Sequence, residues 1–170
     1  MQMDFVPKFL TIVDLFEKSV KKFASRDHFG VKVDGVWTWT TYAETKRRVD
    51  GFRRALADAG IKENSCVAII SNNCIQWAIA SFATVGLGAH FVPMYESQLP
   101  KEWEFILRDC EAEVLIVATE AIYQKTKLWV DELPSLKKIV RIVAPESEPD
   151  SFEALVQEGT KNPMPPSKPT

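Results

Sequence analysis

At 170 residues, with 46% apolar and 26% charged content, the chain has the size and make-up of one globular domain, large enough to bury about 70% of its unfolded surface. A net charge of -2 excludes the basic excess of a nucleic-acid binder and the polybasic anchor of a membrane-surface protein. Cys66, Cys74 and Cys110 lack metal-ligand spacing, and only His28 and His90 stand beside them; they are read as reduced, buried thiols rather than a metal centre.

Met1-Gln2-Met3-Asp4 lacks the basic stretch and apolar core of a secretory signal, so a cytoplasmic location is expected. Thr11 opens a helix, with Asp14 in its first turn and apolar residues at Ile12, Leu15, Phe16, Val20 and Phe23. The pattern stops near Ala24. Two β runs follow, Phe29 to Val33 and Val36 to Thr40, joined by Asp34-Gly35, a two-residue hairpin signal.

Thr41 reads as the N-cap of a second helix, with Glu44 as its capping-box partner and Gly60 as its C-cap. Val49, Phe52 and Leu56 form its apolar face. Lys46, Arg47, Arg48, Arg53 and Arg54 lie mostly off that face and are read as solvated, with a phosphate-binding patch as the competing reading.

Cys66 to Ser71 is almost continuously apolar, as expected of a strand covered on both faces. Asn72 or Asn73 is expected to cap the helix that follows. The apolar run from Ile75 to Val92 is interrupted by Gln76, Ser81, Thr84 and His90. Glycines break it before it reaches a bilayer span of about 20 residues. A buried helix feeding a buried strand accounts for it, and His90 is read as a satisfied core histidine. Leu99-Pro100 opens a further helix, lined on one side by Trp103, Ile106, Leu107 and Cys110. Val114 to Ala118 is the next strand, Ile122 to Glu132 a helix ended by Leu133-Pro134, Ile139 to Val143 a strand and Ser151 to Glu158 a short helix.

Strands separated by single helices lie parallel through right-handed crossovers. The expected fold is therefore α/β: a three-layer domain with a mainly parallel sheet built from β-α-β units, preceded by a helix and a β-hairpin. Residues 161–170, with Pro163, Pro165, Pro166 and Pro169, read as a Pro-rich linker.

Motifs for chemistry are sparse. Gly86-Leu87-Gly88 lacks a third glycine and follows a helix, whereas a phosphate cradle needs the turn from strand to helix. A helix C-cap and a close packing point explain it. No Gly-x-x-x-x-Gly-Lys-Ser/Thr loop and no Gly-x-Ser-x-Gly elbow occurs,. Glu102, Glu104, Glu111 and Glu113 are read as solvated, and the tryptophans at 37, 39, 77, 103 and 129 as packing groups. No catalytic and no metal-ligating residue is assigned.

Four segments, in order, resemble the N-terminal part of the AMP-forming acyl-CoA synthetases, in the adenylate-forming superfamily. They are Thr11-Ile12-Val13-Asp14-Leu15-Phe16-Glu17; Trp39-x-Thr41-Tyr42-x-Glu44, which is similar to long-chain members; Val67-Ala68-Ile69 through Asn73, Trp77, Ala80, Gly88-Ala89 and Val92-Pro93-Met94-Tyr95; and Phe105-Ile106-Leu107 running into Val114-Leu115-Ile116-Val117. Gln76 stands where the family usually has Glu, and His90 and Met94 replace commoner small or Leu residues.

The resemblance implies that residues 1–160 form the N-terminal subdomain of an AMP-binding domain. It also implies that the chain ends in its linker, just before a Ser/Thr/Gly-rich phosphate loop. The implied whole is an ATP-dependent fatty-acid–CoA ligase that uses ATP, Mg²⁺ and CoA, while this segment holds no cofactor and is inactive alone. Lys125 and Lys127 fall where some relatives meet the CoA nucleotide, against an ordinary exposed helix face as the plainer reading. Trp77 and Tyr95 are candidates for a substrate-channel wall, against core packing. The implied partners are a fatty acid, ATP, CoA and the rest of the adenylation domain. Self-association through apolar surface and peripheral membrane attachment through the full-length protein are further expectations. The alternative is a free-standing α/β module that binds a ligand or partner.

Overall fold

The computed structural model describes residues 9–167, so Lys168 to Thr170 of the predicted linker lie outside the described residues. The chain divides between Lys46 and Arg47 into two compact units.

In the first unit, Thr11 Oγ1 accepts the Asp14 N–H at 3.0 Å and starts α1 (Ile12–Phe23). The strands β1 (Asp27–Val33) and β2 (Val36–Thr41) pair antiparallel, with Val33 opposite Val36. Asp34 and Gly35 both take positive φ, 48° and 82°, as a type I′ turn requires. Trp37 and Trp39 share one face of this ribbon and stack at 5.5 Å,. They remain 55% and 53% exposed, which corrects the expectation that they are packing groups: a two-stranded ribbon has no second layer on that face. Thr41 Oγ1 accepts the Glu44 N–H at 3.2 Å and begins α2 (Tyr42–Asp58).

The second unit is built on a parallel sheet with the order β4-β3-β5-β6. Its strands are β3 (Cys66–Ile70), β4 (His90–Met94), β5 (Val114–Val117) and β6 (Lys138–Arg141). The helices are α3 (Ile75–Val85), α4 (Pro100–Asp109), α5 (Glu120–Thr126), α6 (Trp129–Glu132) and α7 (Phe152–Gly159). β3 and β5 are buried along their whole length, as their unbroken apolar sequences require. Cys66, Ala68, Ile70, Leu115 and Val117 face Trp103, Leu107, Ile122 and Trp129 of α4, α5 and α6 in one core. The alternate residues turn to the opposite face, where α2 and α7 lie beside Val114 and Val140. Three layers result, as expected. Among the described residues no helix is long and apolar enough to cross a membrane.

Several local expectations are corrected. β4 is an edge strand of the sheet, and His90 is exposed while Phe91 and Val92 are only half-buried. Cys74, not Asn72 or Asn73, is the N-cap of α3 and gives no side-chain cap; it is also exposed, and Cys110 is half-buried. The single helix expected over Ile122 to Glu132 is two, because the α-helical pattern stops at Lys127-Leu128. The largest departure is Arg53, which is 0% exposed instead of solvated. Its Nη1 donates to Asp50 Oδ1 at 2.6 Å and to the Met164 carbonyl at 2.8 Å, and its Nη2 to the Phe82 carbonyl at 3.2 Å. A buried guanidinium survives only with such partners.

The end of α4 is a Schellman motif. Glu111 N–H donates to the Arg108 carbonyl and Ala112 N–H to the Leu107 carbonyl, at 3.4 and 3.1 Å. Glu111 takes φ 49°, a conformation that favours glycine. Glu111→Gly is expected to stabilise the chain by about 0.5–1 kcal/mol and to raise Tm by about 2 °C. A drop in Tm in a thermal melt would contradict the strain at this position.

Residues 163–167 have no regular secondary structure. Met164 N–H donates to the Asp50 carbonyl at 3.2 Å and Ser167 N–H to the Gly86 carbonyl at 2.8 Å.

Candidate functional site

An open parallel sheet offers its ligand crevice at the carboxyl ends of its strands, where successive crossovers leave in opposite directions. In this sheet that point lies between β3 and β5, because the chain passes from β3 to β4 on one side and returns to β5 on the other. Ser71-Asn72-Asn73-Cys74 follows β3, Tyr95-Glu96 follows β4 and Ala118-Thr119-Glu120 follows β5.

These loops are tied to one another. Ala118 N–H donates to the Ile70 carbonyl at 3.0 Å and Ser71 N–H to the Met94 carbonyl at 3.4 Å. Asn72 N–H donates to Glu96 Oε1 at 2.9 Å. Thr119 Oγ1 accepts the Ile122 N–H at 3.2 Å and caps α5. At the end of β6, Arg141 is held by Asp150 in two bonds of 2.8 and 3.0 Å, pairs with Glu148 and Glu120, and lies 4.5 Å from the Tyr123 ring. That cation is neutralised by its own loop. The carboxyl rim therefore presents exposed Asn72, Asn73 and Cys74 and ordered backbone. This arrangement supports a wall or a positioning surface. Among the described residues no group of three or more His, Cys, Asp or Glu could hold a metal ion.

The four residues singled out from the sequence fall in two places. Trp77 is half-buried on the first turn of α3, with its ring edge-on to Phe91 of β4 at 5.2 Å. Tyr95 is 75% exposed after the last residue of β4, and its carbonyl accepts the Trp103 indole N–H at 2.9 Å. Both thus adjoin β4. Lys125 and Lys127 are exposed on and after the last turn of α5. The Lys125 ammonium lies 5.9 Å from the Trp103 ring and Lys127 Nζ donates to Gln124 Oε1 at 2.6 Å. Trp103 therefore links the two places: its ring meets Lys125 and its indole N–H holds the Tyr95 backbone.

One constellation was invisible in the sequence. Glu153 on α7 accepts from Gln76 Nε2 at 3.1 Å and pairs with Arg48. Gln76 is one of the positions that depart from the family pattern, and an amide there donates to Glu153 where a carboxylate could not. Since Gln76 and Glu153 are 77 positions apart, no local spacing could have revealed them. A cavity of about 720 Å³ lies elsewhere, along β4, bounded by Cys66, Ser81, His90, Phe91 and Cys110 among others.

The family model for the AMP-binding enzyme matches residues 16–170. The long-chain-fatty-acid–CoA ligase FadD15 of Mycobacterium bovis is 30% identical over 127 residues, which is 75% of this chain and 21% of that protein. The long-chain-fatty-acid–CoA ligase heimdall of Drosophila melanogaster is 28% identical over 151 residues, 86% of this chain and 21% of that protein. Among solved structures, the anthranilate CoA ligase AuaEII in complex with anthranoyl-AMP superposes with a TM-score of 0.76 at 26% identity, covering 92% of this chain and 29% of that one. The chain thus spans about a fifth of the length of these curated relatives.

Proposed function

Because the chain belongs to the AMP-binding enzyme family, we propose that its 170 residues form the N-terminal part of an ATP-dependent fatty-acid–CoA ligase. The observation that carries this reading is the match over residues 16–170 together with the 30% identity to a long-chain ligase. Residues 1–160 form the N-terminal subdomain of the adenylating domain, and residues 161–170 lead toward its phosphate-binding loop.

In such a ligase a fatty-acid carboxylate attacks the α-phosphorus of ATP and pyrophosphate leaves. The CoA thiol then attacks the acyl carbon and AMP leaves. Mg²⁺ and cationic side chains offset the charge on the phosphates. This segment supplies no catalytic residue to those steps; its α/β layers hold one wall of the domain in place. Trp77, packed on β4, and Tyr95, which follows it, line part of the substrate channel. Lys125 and Lys127, both exposed, meet the CoA nucleotide. The whole protein works in the cytoplasm, with peripheral attachment to membranes through parts beyond this segment.

The complete ligase carrying this segment, given ATP, Mg²⁺, CoA and palmitate, is expected to form palmitoyl-CoA. Replacing both Lys125 and Lys127 by Ala in that enzyme should raise KM for CoA by about tenfold, as loss of two exposed phosphate contacts would. Adenylate formation in the absence of CoA should be unchanged. No acyl-CoA from any fatty acid would overturn the reading; an unchanged KM would remove the two lysines from the CoA site.

A further inference from the structure

A cleft of about 330 Å³ lies between α2, α7 and the first residue of β6, floored by Ala55, Ala59, Leu155 and Gly159 and rimmed by four charged side chains. Its origin is in the sequence. Gly159 has no room for a Cβ against the Gly51 backbone, so it stays a glycine. Ala55 and Ala59 stand one turn apart, the Ala59 N–H donating to the Ala55 carbonyl at 3.1 Å. Their methyl groups leave unfilled a space that larger side chains would close. A smaller void of about 10 Å³ shares Ala55, Leu155 and Lys138 with the cleft and reaches Phe52 and Val140 of the core. The floor is therefore apolar and runs into the packing between α2, α7 and the sheet.

The charges of the rim are matched with one exception. Asp58 pairs with Arg54, Lys137 with Glu113 and Glu158 with Lys161. Lys138 has no ion-pair partner among the described residues. It is half-buried at the start of β6, beside Val114 of β5. It lines both the void and the cleft, as a lysine does when its stem covers apolar surface and its ammonium reaches for water.

These charges select the occupant. One unmatched ammonium takes one negative charge. A polyanion such as a nucleotide would also meet the carboxylates of Asp58 and Glu158, and a cation would meet Lys138 with no free carboxylate to receive it. A neutral apolar molecule would cover the ammonium without pairing it. The volume is at the low end of the about 300–1,000 Å³ of small-molecule sites, so the ligand is small.

We propose that the cleft between α2, α7 and β6 binds a small aliphatic monocarboxylate, its carboxylate paired with Lys138 and its chain laid over Ala55, Ala59 and Leu155. The site is at the amino ends of β5 and β6, the end of the sheet away from the Asn72 and Thr119 loops. It is thus separate from the carboxyl rim and does not depend on the ligase reading. An occupant ties α2 to α7 and favours the folded chain by mass action.

The test follows the backbone amide resonances of the isotope-labelled chain during titration with octanoate. The expected result is saturable shifts at Ala55, Ala59, Leu155 and Gly159 with a Kd on the order of 1 mM, as befits so small a ligand. Lys138→Gln, which keeps most of the stem and removes the charge, should raise that Kd about tenfold. Octylamine, with the same chain and the opposite charge, should bind about tenfold more weakly than octanoate. Ala59→Leu, which fills the cleft with its own side chain, should abolish the shifts, and dispersed amide spectra show that each variant stays folded. Shifts that grow without saturation, a saturable set confined to residues around β4, or an equal Kd for Lys138→Gln and the parent would each overturn the proposal. Octylamine binding as tightly as octanoate would overturn it too.

Discussion

Gly159→Ala is expected to lower stability by about 3–5 kcal/mol, a large part of the about 5–15 kcal/mol that holds a domain folded. Gly159 closes α7, and a Cβ there would fall on the carbonyl oxygen of Gly51 in α2 and lie 2.7 Å from its carbonyl carbon. Both groups are backbone, so no side chain can rotate away. The relation is mutual: a Cβ on Gly51 would meet Thr160 Cγ2 at 2.6 Å and the Val156 carbonyl oxygen at 2.7 Å. Moving the helices apart would also separate Phe52 from Phe152, whose rings stack at 4.2 Å and are fully buried. Glycine inside a helix is itself unfavourable by about 0.5–1 kcal/mol, so its presence at Gly51 is explained by this crossing. Thermal unfolding followed by circular dichroism should show Tm lowered by about 10 °C or more. A Tm within about 2 °C of the parent would show that the helices can separate freely.

Arg53→Met should cost about 3–5 kcal/mol for a different reason. Methionine replaces much of the volume but none of the charge. The Asp50 carboxylate loses the guanidinium 2.6 Å away, and the Phe82 and Met164 carbonyls each lose a donor. The Phe82 carbonyl lies in the last turn of α3, where the helix dipole favours a cation. Gly86 exists to admit that cation, since a Cβ there would sit 2.8 Å from Arg53 Cζ. Arg53 also fastens residues 164–167 against α2 and α3, alongside the Met164 and Ser167 backbone bonds. Limited trypsinolysis should therefore cut after the exposed Lys161 about tenfold faster in the variant, by local release of the following segment. Adding Asp50→Asn should recover part of the stability, because the carboxylate that has lost its guanidinium neighbour carries part of the loss. Equal cleavage rates in parent and variant would contradict the role given to Arg53.

Both positions mark where the sequence stopped being legible. The elements themselves could be read: Asp34-Gly35 announces its turn, Thr11 and Thr41 announce their helices, and the unbroken apolar runs of β3 and β5 announce burial on both faces. β4 reads like them and yet is an edge strand, because place in a sheet depends on the order of crossovers, which no window of residues contains. Arg53 reads like its neighbours Arg47, Arg48 and Arg54, and its burial depends on Met164, 111 positions later.

The candidate site was legible to a different degree. Trp77, Tyr95, Lys125 and Lys127 were reached through resemblance, and the structure adds Trp103 as the residue that touches both the Tyr95 backbone and Lys125. Glu153, which joins Arg48 to Gln76, had no signal in any motif.

We propose that these residues support the adenylation of a fatty acid without performing it. The most direct measurement is pyrophosphate release by the folded 170-residue chain incubated with ATP, Mg²⁺, CoA and palmitate, with its fold checked by circular dichroism in the same sample. The expected result is release no faster than in a protein-free control. Release of pyrophosphate that depends on both the chain and palmitate, with acyl-CoA accumulating, would contradict it and place catalytic groups among these residues.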